Sequence, residues 1–240
     1  MERILPSRKG CLKHPELGFS LIEVLVATAV SAIALAGLLV AYDLVDKQYS
    51  KIRDISTVRQ AGGNVLRVLE RDLRMTGFAY RTDSGVITFG EITTPITVVD
   101  SGANCCDEMT VIYDRHDEAA GTTDRVEIRY WVKSYTGTKG TRGRLFKQVN
   151  ILAPAPSIST GPEEVMADFI EDLQIVRAGT SPNPDQLIEI YLALRTSAEY
   201  DRNVAYQREG HFPGNSDISR DDGYRRSGFS TSVALRNLAL

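Results

Sequence analysis

The N-terminal part of the chain changes from an uninterrupted apolar segment to a periodic one. Between Phe19 and Tyr42 the only charged residue is Glu23. A helix of that length spans roughly 36 Å, which exceeds the hydrocarbon core of a bilayer, about 30 Å thick. The pattern therefore predicts a membrane-spanning helix over residues 19–42, with one carboxylate near its N-terminal end.

In the periodic segment, residues 43–77, apolar residues recur mostly at three- and four-residue steps. This spacing is typical of an amphipathic helix, and we expect its apolar face to pack on a sheet. The adjacent Gly62 and Gly63 each lower helix stability by about 1 kcal/mol relative to alanine, and they indicate a bend or the close approach of another backbone. Gly77 is the predicted C-terminal stop. The apolar positions are Leu44, Val45, Tyr49, Ile52, Ile55, Val58, Leu66, Leu69 and Leu73.

From about Phe78 the pattern changes to short β-type runs separated by loops, which favours an antiparallel sheet and an α+β fold class. Residues 169–176 are expected to begin as a helical turn and become a strand. The long polar segment 195–226 is expected to be a loop. The predicted strands are 86–89, 96–99, 109–113, 125–132, 144–149, 187–194 and 229–235.

Two alternatives explain the apolar segment less well. A secretory signal peptide fits the preceding basic residues and would be cleaved near Ala29 or Ala36. Its apolar region, however, is usually about 7–15 residues long and lacks an acid. A plain signal anchor with its basic end in the cytoplasm is the other alternative.

The residues around the start of the apolar segment form a specific series. A short basic leader ends in Gly18, and Phe-Ser-Leu-Ile-Glu follows at residues 19–23, directly before the long apolar run. This series resembles the class III signal of type IV pilins and of the pseudopilins of type II secretion. The resemblance implies cleavage between Gly18 and Phe19 by a membrane-embedded prepilin peptidase. It also implies N-methylation of the new amino terminus at Phe19.

The same resemblance suggests a role for Glu23. A carboxylate at the centre of a bilayer costs around 2.5–3.5 kcal/mol on insertion scales, and a charged partner offsets part of such a cost. Cleavage would create an amine at Phe19, close to Glu23 in the sequence. The resemblance implies that the pair forms between neighbouring subunits, so that Glu23 is an assembly determinant. The alternative is a carboxylate that sits at the membrane interface without a role.

Three further regions narrow the resemblance to PilW-type minor pilins. They are residues 71–78, the run 169–176 with the strand 187–194, and the C-terminal residues 225–237. The family implies a pilin fold, in which the long helix packs on an antiparallel β-sheet head. The expected divisions are a leader (1–18), a transmembrane or filament-core helix (19–42), an amphipathic helical half (43–77) and a periplasmic β-rich head (78–240).

The function implied by this family is that of a minor subunit that helps to initiate pilus assembly at or near the tip. Its expected partners are the prepilin peptidase, the major pilin, other minor pilins and the assembly platform, with a tip adhesin as a further candidate. We expect a single-pass protein of the bacterial inner membrane with its head in the periplasm, and a pilus subunit at the cell surface after assembly. J-class pseudopilins of type II secretion share the size and the helix signal and remain the alternative. A membrane-anchored periplasmic enzyme or receptor is the third hypothesis.

Cysteine usage fits an exported head. Cys11 lies in the leader, which leaves the adjacent Cys105 and Cys106 in the mature chain. In an oxidising compartment such a pair is a candidate disulfide. Adjacent cysteines close only a strained eight-membered ring, and strained disulfides are more easily reduced. A redox function is disfavoured because nothing like Cys-x-x-Cys is present.

Charge and motifs argue against other functions. The net charge is −3, and since residues 1–18 contribute +2, the remainder carries −5. A mildly acidic body gives no whole-surface reason to bind nucleic acid. The sequence contains no Gly-x-Ser-x-Gly, His-Glu-x-x-His or phosphate-binding glycine loop. Residues 114–118 are interpreted as a solvated loop, and the acids within 215–223 lack the spacing of a calcium loop. No enzymatic activity, cofactor or metal is therefore predicted.

Overall fold

The computed structural model describes most of the chain in two separate units. The N-terminal unit ends at Ser50 and the C-terminal unit begins at Lys51, and each is described by itself. The predicted leader lies outside the described residues except for Gly18. The described residues are 18–101, 105–137, 140–154, 158–178, 186–200, 205–208 and 218–237.

Helix α1, Leu21–Met75, begins in the N-terminal unit and continues past its last residue, Ser50. It is long and apolar enough to cross a membrane, and none of its most apolar 18-residue window is buried. Glu23 lies in its first turn and Arg74 in its last. These positions complement the helix dipole, since acids are favoured at the N-terminus and bases at the C-terminus.

The packed face of α1 is shorter than the apolar pattern predicts. Its first buried residue is Val58, and the buried positions that follow recur mostly at three- and four-residue steps. Leu44, Val45, Tyr49 and Ile52 are all more than 60% exposed. Apolar spacing marks a helix face that avoids water, but it does not tell what covers that face. The buried positions after Val58 are Gly62, Val65, Leu66, Leu69, Asp72 and Leu73.

The helix ends where the sequence predicts. After Met75 the chain turns at Gly77, whose φ of 78° favours glycine. Its N–H donates to Ile112 O at 2.9 Å, which ties the end of the helix to the sheet. A Cβ atom at Gly77 would lie 2.8 Å from Asn237 O, so space as well as conformation requires glycine here.

The main feature of the C-terminal unit beyond the helix is a curled antiparallel sheet, which confirms the α+β prediction. Seven strands pair in the order β1-β2-β3-β4-β5-β6-β9, and β7 and β8 form a separate two-stranded sheet. The strands are β1 Ile96–Val99, β2 Glu108–Asp117, β3 Thr122–Gly137, β4 Gly140–Ala153, β5 Ser159–Arg177, β6 Leu187–Glu199, β7 Ala205–Arg208, β8 Ile218–Asp221 and β9 Tyr224–Ala234.

Strand β5 divides the seven-stranded sheet into two parts. Its residues 159–170 pair with β4, whereas residues 170–177 pair with β6. Register shifts interrupt both ladders near Ile170, and Phe169 has a φ of 63°. Such irregularities bend a strand, which allows one strand to serve both parts of the sheet.

The core lies between the buried face of α1 and one face of this sheet. Leu69 and Leu73 of the helix are fully buried, as are apolar residues of five strands. Burying a side chain of this size contributes about 1.5–3 kcal/mol, so the helix is held chiefly by apolar packing. The fully buried strand residues include Met109, Val111, Tyr130, Leu145, Leu173, Ile188, Ile190 and Leu192.

Two predicted elements differ from those observed in the structure. Residues 86–89 form no strand, because glycines with positive φ stand on either side at Gly85 and Gly90. Only one bridge, Arg81 to Ile87, occurs there, and Val86 is 62% exposed. Residues 169–176 contain no helical turn, since the whole segment belongs to β5.

Two predicted loops also contain strands. The acidic segment from Asp114 to Asp117 ends β2, and Asp114 is fully buried. Arg125 Nε donates to Asp114 Oδ1 at 2.7 Å. This ion pair explains how a carboxylate that was predicted to lie in a solvated loop can be buried. The predicted loop 195–226 contains β7, β8 and the ends of β6 and β9, with Arg195 directly opposite Arg226.

Candidate functional site

The N-terminus of α1 is built as a capping box. Ser20 immediately precedes the helix, and Glu23 is its third residue. Glu23 Oε2 accepts from Ser20 N at 2.7 Å and from Ser20 Oγ at 2.9 Å. Glu23 N in turn donates to Ser20 Oγ at 3.3 Å. Reciprocal bonds of this kind satisfy amide groups that the first helical turn leaves without partners.

Ser20 is a functional residue that the sequence interpretation missed. The spacing Ser-x-x-Glu before an apolar run is itself a helix-start signature, so the signal was present at residues 20–23. Both residues follow the predicted cleavage bond between Gly18 and Phe19, and the capping box is therefore compatible with a chain that begins at Phe19.

The predicted processing residues are accessible. Gly18 and Phe19 precede the helix, and Phe19 is 86% exposed. Glu23 is also exposed, and its carboxylate is bonded to Ser20. Cleavage at Gly18, methylation of Phe19 and pairing of Glu23 with an amine stay predictions, since each concerns the processed chain.

A second polar cluster fixes the C-terminal half of α1 on the sheet. Asp72 is fully buried, and Lys147 Nζ of β4 lies 2.7 Å from its Oδ2. The hydroxyl of Tyr130 on β3 donates to the same oxygen. Arg71 Nε and the Tyr113 hydroxyl donate to Oδ1 at 3.0 and 3.4 Å. Helix α1 is thereby bonded to three successive strands.

The protonation of this cluster follows from burial and charge. Burial alone would raise the pKa of Asp72, but hydrogen bonds from Lys147 and Tyr130 outweigh it and lower the pKa overall. Burial, followed by the negative charge of Asp72, raises the pKa of Tyr113 to about 12. The same two causes raise the pKa of Tyr130 well above its usual range. Asp72 is therefore a carboxylate held by neutral tyrosines at physiological pH.

Asp54 also connects the helix to the sheet. Its Oδ2 accepts from Ser197 N at 2.8 Å, from Ser197 Oγ at 3.0 Å and from the Tyr200 hydroxyl at 3.2 Å. The ladder between β6 and β9 is interrupted between Arg195 and Glu199. Asp54 thus binds the backbone at this interruption in β6. This cluster and that of Asp72 are attachment points of the helix.

The adjacent cysteines lie at a different place, just before β2. Cys105 and Cys106 are joined by a disulfide in this structure, and oxidation of the pair in the cell stays a prediction. Asp107, the next residue, is buried. Its N–H donates to Leu173 O at 2.8 Å, and Ile175 N donates to its Oδ2 at 2.7 Å. The cysteines are therefore placed beside the second part of β5.

Comparison with known proteins covers both the N-terminus and the fold. Residues 13–39 match the family described as the prokaryotic N-terminal methylation motif. A type IV-like pilin from Thermus thermophilus is structurally similar, with a TM-score of 0.51 and 15% identity over 77% of this chain and 100% of that chain. This chain has a pilin fold. No curated protein sequence matches it significantly.

The two similarities support each other because they concern different properties. The methylation motif spans Gly18, Phe19 and Glu23, the residues selected from the sequence. The likeness of fold extends over 77% of this chain, far beyond the residues of the motif. The chain is thus a type IV pilin-like protein with a prepilin signal, and its apolar helix is consistent with anchoring in a membrane.

Proposed function

We propose that this protein is a minor pilin of the PilW type, which helps to start the assembly of a type IV pilus at or near its tip. The observation that carries the proposal is the methylation motif at the start of an exposed apolar helix, in a chain with a pilin fold. The division of the chain follows the sequence interpretation, with a leader, an apolar helical half, an amphipathic half and a β-rich head. The protein acts as a structural subunit and not as an enzyme.

Processing is the first step of the proposed function. A prepilin peptidase in the inner membrane removes residues 1–18, and the new amino group of Phe19 is methylated. Gly18 and Phe19 precede the first helical residue, Leu21, so the proposed scissile bond lies outside the helix. The single apolar helix then holds the subunit in the membrane, with its head in the periplasm.

Assembly is the second step, and Glu23 is its proposed determinant. Both side-chain bonds to Ser20 use Oε2, which fixes the carboxylate beside the helix N-terminus. In a water-poor bundle of helices this carboxylate pairs with the amine at Phe19 of a neighbouring pilin. Removing one member of a buried ion pair costs about 3–5 kcal/mol, enough to exclude a subunit from a filament.

We propose that the β-rich head contacts other pilins. The Asp72 cluster and the Asp54 contact fix α1 to the sheet at separate points. In the assembled pilus, the C-terminal part of α1 therefore holds the attached head at the pilus surface. Its partners are the major pilin, other minor pilins and the assembly platform, and a tip adhesin is a further candidate.

Deletion of the gene, followed by complementation, tests the proposed function. We expect the deletion strain to display far fewer surface pili, and antibodies to the head to label wild-type pili at one end. Wild-type pilus numbers in the deletion strain, together with absence of the protein from sheared pili, would rule out a pilus subunit. Loss of protein secretion with unchanged pili would instead assign the chain to type II secretion.

A further inference from the structure

A cluster of three metal-ligating groups lies where the loop before β2 meets β5. The Sγ atoms of Cys105 and Cys106 and a carboxylate oxygen of Asp172 all lie within 4.8 Å of one another. Cys105 is exposed and Cys106 is half-buried, whereas Asp172 is only 1% exposed. Solvent therefore reaches the cluster from the side of Cys105, and the carboxylate forms its inner wall.

The loop that carries the cysteines is held by bonds that do not involve sulfur. Asp107 Oδ1 accepts from Ser101 N and Ser101 Oγ, both at 2.9 Å. Asp107 is also bonded to Leu173 and Ile175, the residues one and three positions after Asp172 on β5. Opening the disulfide would leave all four bonds in place. The two thiols would therefore stay beside Asp172.

The carboxylate is also oriented by its surroundings. Gln174 Nε2 donates to Asp172 Oδ1 at 2.8 Å, and Gln174 is itself buried. Hydrogen bonds from outer partners of this kind fix the orientation of metal ligands and raise metal affinity. The cluster thus combines two soft ligands with one hard ligand that is held in a defined position.

We propose that the reduced form of the cluster of Cys105, Cys106 and Asp172 is a binding site for a thiophilic cation such as Zn²⁺. A dithiol reductant first transfers two electrons and two protons to the disulfide and is itself oxidised to a disulfide. The cation then displaces both thiol protons to solvent and binds two thiolates and the carboxylate. The oxidised form cannot bind, because its sulfurs are joined to each other.

The distances suit such a cation. Zinc binds thiolate at about 2.3 Å and carboxylate at about 2.0–2.2 Å, which places tetrahedral ligands about 3.5–3.8 Å apart. Rotation of the two short cysteine side chains after reduction can bring the atoms to this separation. The exposed side of Cys105 leaves a fourth position for water. Two thiolates select zinc or other soft cations over magnesium and calcium.

Cadmium titration of the full chain in detergent tests this proposal. Cys11→Ser removes the third thiol. A phosphine reductant opens the disulfide, and the reductant is then removed under anaerobic conditions before the titration. We expect the thiolate-to-cadmium absorption band to saturate at one Cd²⁺ per chain in the reduced protein, and no band in the oxidised protein. Added Zn²⁺ should displace the cadmium and abolish the band.

Three variants distinguish binding of the cation at this cluster from non-specific binding to thiols. Cys105→Ser, at an exposed position, should abolish the stoichiometric band without unfolding the protein. Loss of an outer partner alone lowers metal affinity about 10–100-fold, so Asp172→Asn should weaken binding at least about tenfold. Asp83→Asn, which changes an exposed carboxylate elsewhere, should bind as the unmodified chain does. Equal affinity of the Asp172→Asn variant, or no band in the reduced chain, would overturn the proposal and leave the proposed pilus function untouched.

Discussion

At the scale of single residues, the buried charge of Asp72 is the most consequential feature of the C-terminal unit. Its carboxylate is fully buried, and four side chains from the helix and three strands bond to it. A buried pair of this kind adds little net stability compared with apolar packing, but loss of one member is severe because the other charge is left uncompensated.

Asp72→Asn should lower the free energy of unfolding by about 3–5 kcal/mol, because Lys147 would remain buried without its counter-charge. Urea unfolding can be followed by the fluorescence of Trp131, the single tryptophan. Glu163→Gln is the matched control, since it removes the exposed partner of Lys133 and should cost no more than about 1 kcal/mol. Similar losses in both variants would contradict the account of the cluster.

The tyrosines of the cluster predict a loss of stability at high pH. Unfolded tyrosine ionises near pH 10, whereas the pKa of Tyr113 in the folded protein is raised to about 12. Between these values the folded state binds more protons than the unfolded state, so stability falls as pH rises. Stability should fall by about 2–3 kcal/mol for this residue between pH 10 and 12. Tyr113→Phe should reduce the fall, and an unchanged pH dependence in that variant would sink this explanation.

The sequence could locate some of these residues but not their contacts. Asp72 stands in a predicted helix and Lys147 in a predicted strand, yet they are 75 positions apart. The sequence gives no sign of which strand faces which helical turn, because that depends on strand order. Ser20 differs, since its partner is three residues away and the local spacing was sufficient to predict the bond.

At the scale of elements, the adjacent glycines of α1 have different environments. A Cβ atom on Gly62 would overlap the ring of Phe229, whereas one on Gly63 would meet nothing within 4 Å. The atoms nearest to Gly62 thus belong to the side chain of Phe229, whereas the sequence led us to expect another backbone. Helix α1 continues through both glycines without a break.

Substituting each glycine by alanine tests this difference directly. Gly63→Ala should raise the free energy of unfolding by about 0.5–1 kcal/mol, since alanine is the better helix former. Gly62→Ala should be less stable than Gly63→Ala by about 1–3 kcal/mol because of overpacking. In a Phe229→Ala background the two alanine variants should become equal. Equal effects in the unmodified background would show that Phe229 does not press on the helix.

Strand centres followed from the alternating pattern, whereas strand lengths did not. The run 125–132 marks the middle of β3, which extends over Thr122–Gly137. The added residues are mostly polar, and they continue the strand because β2 pairs with residues 122–124 and β4 pairs with residues 133–137. The sequence of one segment does not show whether another strand pairs with it. For the same reason, residues 86–89 were predicted as a strand although they have no partner strand.

At the scale of the whole molecule, the part of the helix that is buried begins later than the amphipathic pattern predicts. Val58 is the first buried residue of the helix, and Asp54, one turn before it, bonds to the end of β6. The buried positions of the helix therefore all lie within the C-terminal unit, which begins at Lys51.

A chain truncated to begin at Lys51 should be soluble and should unfold in one cooperative transition. The exposed apolar residues before it would be absent, and every residue described as buried would be retained. Calorimetry and urea unfolding of the purified fragment measure both properties. Aggregation of this fragment, in contrast to a folded full-length chain in detergent, would show that the preceding helical segment belongs to the core.

The central claim is that the charge of Glu23 drives entry into the pilus. Its test requires variants that change the charge and the helix cap independently. Glu23→Gln keeps the capping box, which accepts Glu or Gln at this position, but it removes the charge. Ser20→Ala removes the cap, which costs about 0.5–2 kcal/mol, but it keeps the charge. Glu23→Ala removes both.

Immunoblots of sheared pili and of membranes from these strains, together with the mass of each protein, test whether the charge or the cap is required for entry into the pilus. We expect all three variants to be cleaved after Gly18, because the scissile bond lies upstream of the altered side chains. Both Glu23 variants should remain in the membrane fraction, while Ser20→Ala should still enter pili. Wild-type amounts of the Glu23→Gln protein in sheared pili would contradict the pairing of Glu23 with an amine.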